Sequence, residues 1–386
     1  MNAQAQSAAH DFLAPVFAQY PVPVASGEGV WLNTTDGRRI LDLYGGHAVA
    51  ALGYGHPIWT RALTEQASRL SFQTNAVPVD VRTRAAERLV RFSQLDIGSV
   101  FFVNSGAEAN ENALRMAFRM TQRSHVAAME YSFHGRTAAA GTVTWGAAAK
   151  WYGFPRTPFD VSFLPRRDFD AIAREITDKT AAVIIEPVQG QAGAFVQGAD
   201  YLKAVRAQCD KVGALLIFDE VQCGMGRVGA PFASRLYGVQ PDMTTSAKVL
   251  GGGFPCSALL MSPRVAAQVK PDSMGTTFGG GPMACAVIEA VIEAIESERL
   301  LDNVRALGRV IRERCIVGPV IDSQGAGFLI GLRTRRPAKD VHAELLARNI
   351  LAGTAADPHI VRLLPPFVLQ AAQVDLLRDA LLDIGA

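Results

Sequence analysis

Asp242-Met-Thr-Thr-Ser-Ala-Lys248-Val-Leu-Gly-Gly-Gly-Phe-Pro255 is the stretch from which the rest of the chain is read. It holds one lysine, preceded by apolar and small residues and followed by three glycines. Small neighbours and a permissive backbone let a ligand come close to such a side chain. A desolvated lysine also gives up its proton more readily, which makes it a nucleophile able to form a Schiff base with a carbonyl. Taken alone, the same words describe a surface lysine before a glycine-rich turn, so the weight falls on what surrounds them.

Upstream, Phe102-Val-Asn-Ser-Gly-Ala-Glu-Ala-Asn110 reads as a strand ending and a helix starting. Ser105 followed three residues later by Glu108 is a capping box. Gly106 and Ala107 then expose backbone N–H groups at a helix N-terminus, a ready phosphate site, although the same spacing also suits an ordinary capped helix. Tyr131-Ser-Phe-His-Gly-Arg-Thr137 puts Phe133, able to stack on a flat heterocycle, beside Arg136, able to clamp a carboxylate. The plain alternative is a packed Phe and a solvated Arg; His134 has no metal-ligating companions and reads as a structural or supporting histidine. Glu186-Pro-Val-Gln-Gly-Gln191 and Asp219-Glu-Val-Gln222 each close an apolar strand, and in doubly wound sheets the ligand crevice lies at those carboxyl ends. An aspartate there can pair with a protonated ring nitrogen, and Gln222 can bond a phenolate oxygen. Gly275-Thr276-Thr277-Phe-Gly-Gly-Gly281 offers two hydroxyls in a flexible loop. Gly224-Met-Gly-Arg-Val-Gly229 matches a dinucleotide fingerprint in letters only, because Asp219 and Glu220 stand between it and the strand and would repel a pyrophosphate.

Short apolar runs at Val100–Val103, Val126–Met129, Ala181–Ile185 and Ala214–Phe218 alternate with helical periodicity at 59–70, 81–92, 107–120, 168–177 and 201–212. That alternation predicts an α/β fold, a mostly parallel sheet between helices. Asp36-Gly37 predicts a hairpin between Trp31 and Tyr44. After Pro282 the pattern turns to long helices (283–296, 300–314), short strands (328–332, 361–363) and a last helix near 372–382, an α+β region. The expected organisation is residues 1–58 as an N-terminal arm and part of a small domain, 59–285 as the large domain, and 286–386 as the rest of the small domain.

Composition narrows the function classes. The chain has 386 residues, 49% hydrophobic and 19% charged, with a formal net charge of +2. Basic residues are scattered, which argues against a nucleic-acid partner. No stretch is long and apolar enough for a bilayer, the N-terminus lacks a signal layout, and five cysteines without a Cys-x-x-Cys pair suggest free thiols. The expectation is a cytoplasmic protein without a metal site.

The ordered set N-S-G-A-E-A-N-E, F-H-G-R-T, F-D-E-V-Q-C-G-M-G-R, T-S-A-K-x-L-G-G-G-F-P and T-F-G-G-G-P-x-A-C-A resembles the class III, fold-type-I pyridoxal-phosphate aminotransferases, nearest the acetylornithine/succinylornithine branch, from about Trp31 to the C-terminus. The resemblance implies pyridoxal 5'-phosphate as cofactor, held covalently by Lys248, which would also carry the proton between substrate carbon and cofactor. It implies Asp219 on the ring nitrogen, Phe133 and Gln222 against the ring and its 3-oxygen, and Ser105, Gly106 and Ala107 at the phosphate, with Glu186 in the same set. Thr277 would reach the phosphate of a second subunit's cofactor, giving a homodimer with shared sites. Arg136, Thr276, Arg362 and Gln191 would meet the substrate, Arg362 through the α-carboxylate of glutamate. The chain departs from the family's pattern at Gln191, where glutamate is usual, at Gly281 in place of asparagine and at Tyr54 in place of histidine. The implied reaction moves the terminal amine of an N-acylornithine to 2-oxoglutarate. Other ω-amine donors (ornithine, 4-aminobutyrate, a carrier-linked lysine), a glutamate-semialdehyde aminomutase, a non-catalytic regulator that binds pyridoxal phosphate, and a nicotinamide enzyme resting on the glycine decoy are the alternatives.

Overall fold

The computed structural model describes residues 12–385. The expected arm up to about Tyr20 lies partly outside them; from Phe12 to Pro23 the chain has no helix or strand. The hairpin follows, Trp31–Thr34 pairing antiparallel with Arg39–Asp42, and Gly37 takes the positive φ (+85°) that its turn requires.

A seven-stranded sheet forms the centre, in the order Ser99–Val103, Ser257–Met261, Met243–Ser246, Leu215–Asp219, Thr180–Ile185, His125–Met129, Asp160–Leu164. Only Ser257–Met261 runs against the rest. Every residue of Thr180–Ile185 and Leu215–Asp219 is buried, as expected of parallel strands covered on both faces. Met243–Ser246 is equally buried although three of its four residues are Thr or Ser. Thr245 offsets part of that cost by donating to Asn110 Oδ1 (2.8 Å).

The helices follow the apolar period. In Gly106–Thr121 the positions Ala109, Ala113, Leu114, Met116 and Ala117 are buried, and the helix stops at Gln122 in the left-handed region. Pro282–Ser297 starts with Pro at its first turn, is buried on most of its surface, and packs on Pro57–Arg69 and Asp80–Ser93. The expected boundary at 285/286 falls inside this helix, which is continuous.

The second antiparallel sheet orders Val320–Ala326, Leu329–Thr334, Ile360–Leu363 and Gly353–Thr354, with helices Leu300–Arg314, Ala338–Ala347 and Ala371–Ile384 beside it. The two-residue strand Ile350–Leu351 leaves this region to pair in parallel with Arg39–Asp42. One small sheet thus takes strands from both ends of the chain. Among the described residues no helix is long and apolar enough to cross a membrane, and no cluster of His, Cys, Asp and Glu could hold a metal.

Candidate active site

Five segments leave the carboxyl ends of the parallel strands and converge. Asn104 and Ser105 follow Ser99–Val103, Phe133 follows His125–Met129, Glu186 follows Thr180–Ile185, Asp219 closes its own strand, and Lys248 follows Met243–Ser246. They line one cavity of about 600 Å³, together with Gly106, Ala107, Arg136, Gln191 and Gln222. This is the crevice position of a doubly wound sheet.

Lys248 sits in the left-handed region (φ +50°), sparsely populated for a non-glycine residue, and opens a short 3-10 turn through Gly251. Burial pulls its ammonium below the usual lysine range; Asp219 and Glu186 pull the other way, and Arg362 adds to the lowering. Asp219 is buried and tied on both oxygens. Oδ2 accepts from Asn110 Nδ2 (2.8 Å) and His134 Nδ1 (2.7 Å), and Oδ1 accepts from the Val221 N–H (3.0 Å). Asn110 lies one turn into the helix that starts at Gly106, so the helix start and the aspartate are fixed to each other. Glu186 is buried and accepts from the Phe133 and Gly190 N–H groups (2.9 and 3.0 Å); burial raises its carboxyl above the ordinary range.

At the helix start the Ser105 side chain accepts from the Glu108 N–H (3.2 Å), while Glu108 turns back to the Asn104 N–H (2.9 Å). Ala109 makes the first intrahelical bond, to the Ser105 carbonyl (3.0 Å), which leaves the Gly106 and Ala107 N–H groups at the open end. A Cβ on Gly106 would come within 2.8 Å of Val221, so glycine is what lets this end close against the loop after Asp219. Gly190 has the same logic, since its Cβ would overlap Gln222 Oε1 at 1.6 Å.

The outer parts are placed differently. Arg136 is exposed, its guanidinium 5.0 Å from the Phe133 ring centroid, and it makes no salt bridge among the described residues. Gln191 is exposed on the cavity wall. Arg362 is buried just outside that wall and donates through Nη2 to Tyr44 Oη (2.8 Å). Thr276 and Thr277 do not line the cavity of this single chain. Thr276 Oγ1 accepts from Asn104 Nδ2 (3.3 Å), and Thr277 is exposed beside Phe278, whose ring packs at a tilt against Phe72, 5.3 Å between centroids. Tyr54 donates to Asp42 Oδ2 (2.5 Å), a structural bond away from the cavity lining. Arg227 of the glycine decoy is fully buried, its guanidinium over the Phe367 ring and bonded to the Pro365 carbonyl, so Gly224–Gly229 is a packing turn.

A pyridoxal phosphate fits the residues present. Gln222 Oε1 and His134 Nε2, both on lining residues, are buried polar atoms without partners among the described residues, and groups of that kind call for a polar ligand. The open helix end suits a phosphate, and Asp219 is an anchored buried carboxylate suited to a ring N–H. Such an arrangement on such a sheet defines a fold-type-I pyridoxal-phosphate-dependent transferase. The chain belongs to the class-III aminotransferase family, whose model matches residues 14–384. It is 40% identical over 360 residues to the acetylornithine aminotransferase of Mycobacterium tuberculosis (92% of this chain, 89% of that protein). It is 36% identical over 379 residues to that of Methanothermobacter thermautotrophicus (96% and 95%). Among solved structures, the ornithine aminotransferase of Toxoplasma gondii superposes with a TM-score of 0.90 at 26% identity, covering 97% of this chain and 92% of that one. The acetylornithine aminotransferase of Elizabethkingia anophelis gives 0.84 at 28% identity, covering 96% of each.

Two contributors were not singled out from sequence. Asn110 stands in the quoted N-S-G-A-E-A-N-E run, and its four-residue spacing from Gly106 puts it on the same helix face; that spacing was the available signal. Tyr44 carries no local signal, because its partner is 318 residues away.

Proposed function

We propose that the protein transfers the terminal amine of N-acetylornithine, or another N-acylornithine, to 2-oxoglutarate, giving the semialdehyde and glutamate, in arginine biosynthesis. It works as a cytoplasmic homodimer with shared active sites. The observation that carries this reading is electrostatic. One pocket combines a lysine whose ammonium is destabilised by burial with Arg136 at its mouth, and Arg362 is buried just outside its wall; neither arginine has a carboxylate partner among the described residues. Both product and acceptor on one side of the reaction are dicarboxylates, and a buried guanidinium without a counter-ion favours an anionic ligand. The names of the relatives point to the same donor.

Pyridoxal phosphate supplies an electron sink for the carbon that loses its proton. The Ser105, Gly106 and Ala107 end of the helix would hold its phosphate, and Phe133 and Gln222 would lie against its ring and 3-oxygen. Asp219, kept in place by Asn110 and His134, would hold a proton at the ring nitrogen, with Glu186, bonded to the Phe133 N–H, completing the wall. Lys248 Nζ would hold the cofactor and move the proton at the amine-bearing carbon of the substrate, a task for which burial suits it. Arg136 and Arg362 orient substrate carboxylates, with Thr276 and Gln191 beside them. Thr277 serves the phosphate of a second copy of the chain; its exposure beside the apolar pair Phe72 and Phe278 supports an interface there.

Mixing the purified yellow protein with a panel of amines tests the reading. N-acetylornithine is expected to bleach the cofactor band fastest among N-acetylornithine, ornithine, 4-aminobutyrate and lysine, and 2-oxoglutarate to restore it. Preference for another amine would change the donor assignment. Borohydride reduction and peptide mapping are expected to place the pyridoxyl label on Lys248, and label elsewhere would remove the site as described.

A further inference from the structure

The partner of Arg362 decides how its charge is presented. The guanidinium is buried, with 5% exposure, donates to Tyr44 Oη at 2.8 Å, and lies 5.5 Å from the Tyr44 ring centroid. Its Nε has no partner among the described residues. Acids on neighbouring segments are engaged elsewhere: Asp357 with Arg333 (3.1 Å), Glu186 with two backbone N–H groups. A hydroxyl oxygen accepts the hydrogen bond without being a carboxylate, so it fixes the direction of the guanidinium without giving it an acidic partner.

Tyr44 is itself built into place. The Tyr44 and Gly45 N–H groups both donate to Asp42 Oδ1 (2.8 and 2.9 Å), and Leu364, two residues after Arg362, donates to the Leu43 carbonyl (2.7 Å). Directly after Tyr44 the backbone turns through four left-handed residues, Gly45, Gly46, His47 and Ala48 (φ +54°, +55°, +63°, +70°), two of them not glycine. On the other side, Gly353 faces Arg362 across the strand pair, and a Cβ there would stand 2.0 Å from the Tyr44 ring. The ring fills the space that a side chain at 353 would take.

We propose that Tyr44 is the positioning residue for Arg362: wedged between the Asp42 turn and Gly353, it holds the guanidinium aimed and uncompensated for a substrate carboxylate. The proposal rests on the reading that Arg362 takes that carboxylate. Because the latch is a hydroxyl and not a carboxylate, no acid has to be displaced when a dicarboxylate arrives, so glutamate and 2-oxoglutarate meet a cation that has no acidic partner.

Glutarate, a non-reacting dicarboxylate, is the probe, titrated calorimetrically into the holoenzyme. Tyr44→Phe keeps the ring and removes the hydroxyl; Gly353→Ala displaces the ring and reaches the same point by a second route. Both are expected to weaken glutarate about tenfold, and Arg362→Ala at least as much. In the glutamate half-reaction the loss is expected in apparent Kd far more than in the limiting rate. A plain alkylamine is the control, with apparent Kd shifting less than twofold. If Arg362→Ala loses glutarate while both other variants bind it within twofold of wild type, the Tyr44 role is overturned and the Arg362 reading stands. If Arg362→Ala itself binds glutarate normally, the carboxylate reading fails and this proposal with it. An equal loss for glutarate and alkylamine in Tyr44→Phe would mark a merely structural tyrosine and would also overturn it.

Discussion

Asp219 receives three hydrogen bonds while buried, an arrangement that holds a carboxylate in one position. Asp219→Asn is therefore expected to keep the fold and most of the cofactor while turnover falls by several orders of magnitude, checked by bound-cofactor absorbance alongside steady-state rates. Near-normal turnover would remove the role. At Gln191 the expectation is smaller. A glutamate introduced there offers Arg362 a charged competitor to substrate, and charge-assisted bonds are roughly twice as strong as neutral ones. Gln191→Glu is expected to weaken glutarate and 2-oxoglutarate modestly, with the acylornithine half-reaction unchanged or improved; identical constants in stopped flow would show that this position does not gate the site. The residues on the cavity wall were legible because each sits in a short motif whose chemistry is local: a lysine before glycines, a capped helix start, an acid at a strand end. Tyr44 on Arg362 and His134 on Asp219 were not, because those contacts join segments 318 and 85 residues apart.

Secondary elements show the same division between what is written locally and what is imposed by packing. Helices such as Leu300–Arg314 match their apolar period end to end. The strand Met243–Ser246 escaped detection, since Met-Thr-Thr-Ser has little apolar character and owes its burial to strands on both sides. Glu220 shows how an element can carry a titration. Its carboxylate caps the short helix Ala233–Tyr237, accepting from the Ser234 N–H (2.8 Å), the Ala233 N–H and the Ser234 hydroxyl, yet burial pushes its carboxyl up to about 7. The folded chain then keeps a proton that the unfolded chain loses near 4.5, so the folded state binds more protons between those values. Stability contributed by this group falls as pH rises from about 4.5 to about 7 and is flat above. Thermal melts of wild type and Glu220→Gln across pH 5–7 are expected to differ in slope, the variant's melting temperature falling less; parallel curves would show that Glu220 is ionised throughout.

At the scale of the molecule, Thr277 stands outside the cavity of its own chain, and the proposed dimer gives it work in another. Mixing inactive Lys248→Ala and Thr277→Ala protomers is expected to return part of the activity once subunits exchange; exchange without recovery would confine each site to one chain. The α/β alternation was plain in the sequence, and a small domain drawn from both chain ends was expected; the strand pair that joins those ends was not. Strand Ile350–Leu351 has only two residues, too few for any periodic signal, and its partner Arg39–Asp42 precedes it by some three hundred positions. That pairing has a consequence for synthesis. A ribosome adding about 5–20 residues per second needs roughly 15–60 s to cover the 309 positions from Leu41 to its strand partner Ile350. Through that interval the N-terminal hairpin has left the exit tunnel with one edge unpaired, an invitation to misassociation for a nascent polypeptide. A message cut short anywhere before codon 350 yields a protein in which that edge never closes, however complete the central sheet.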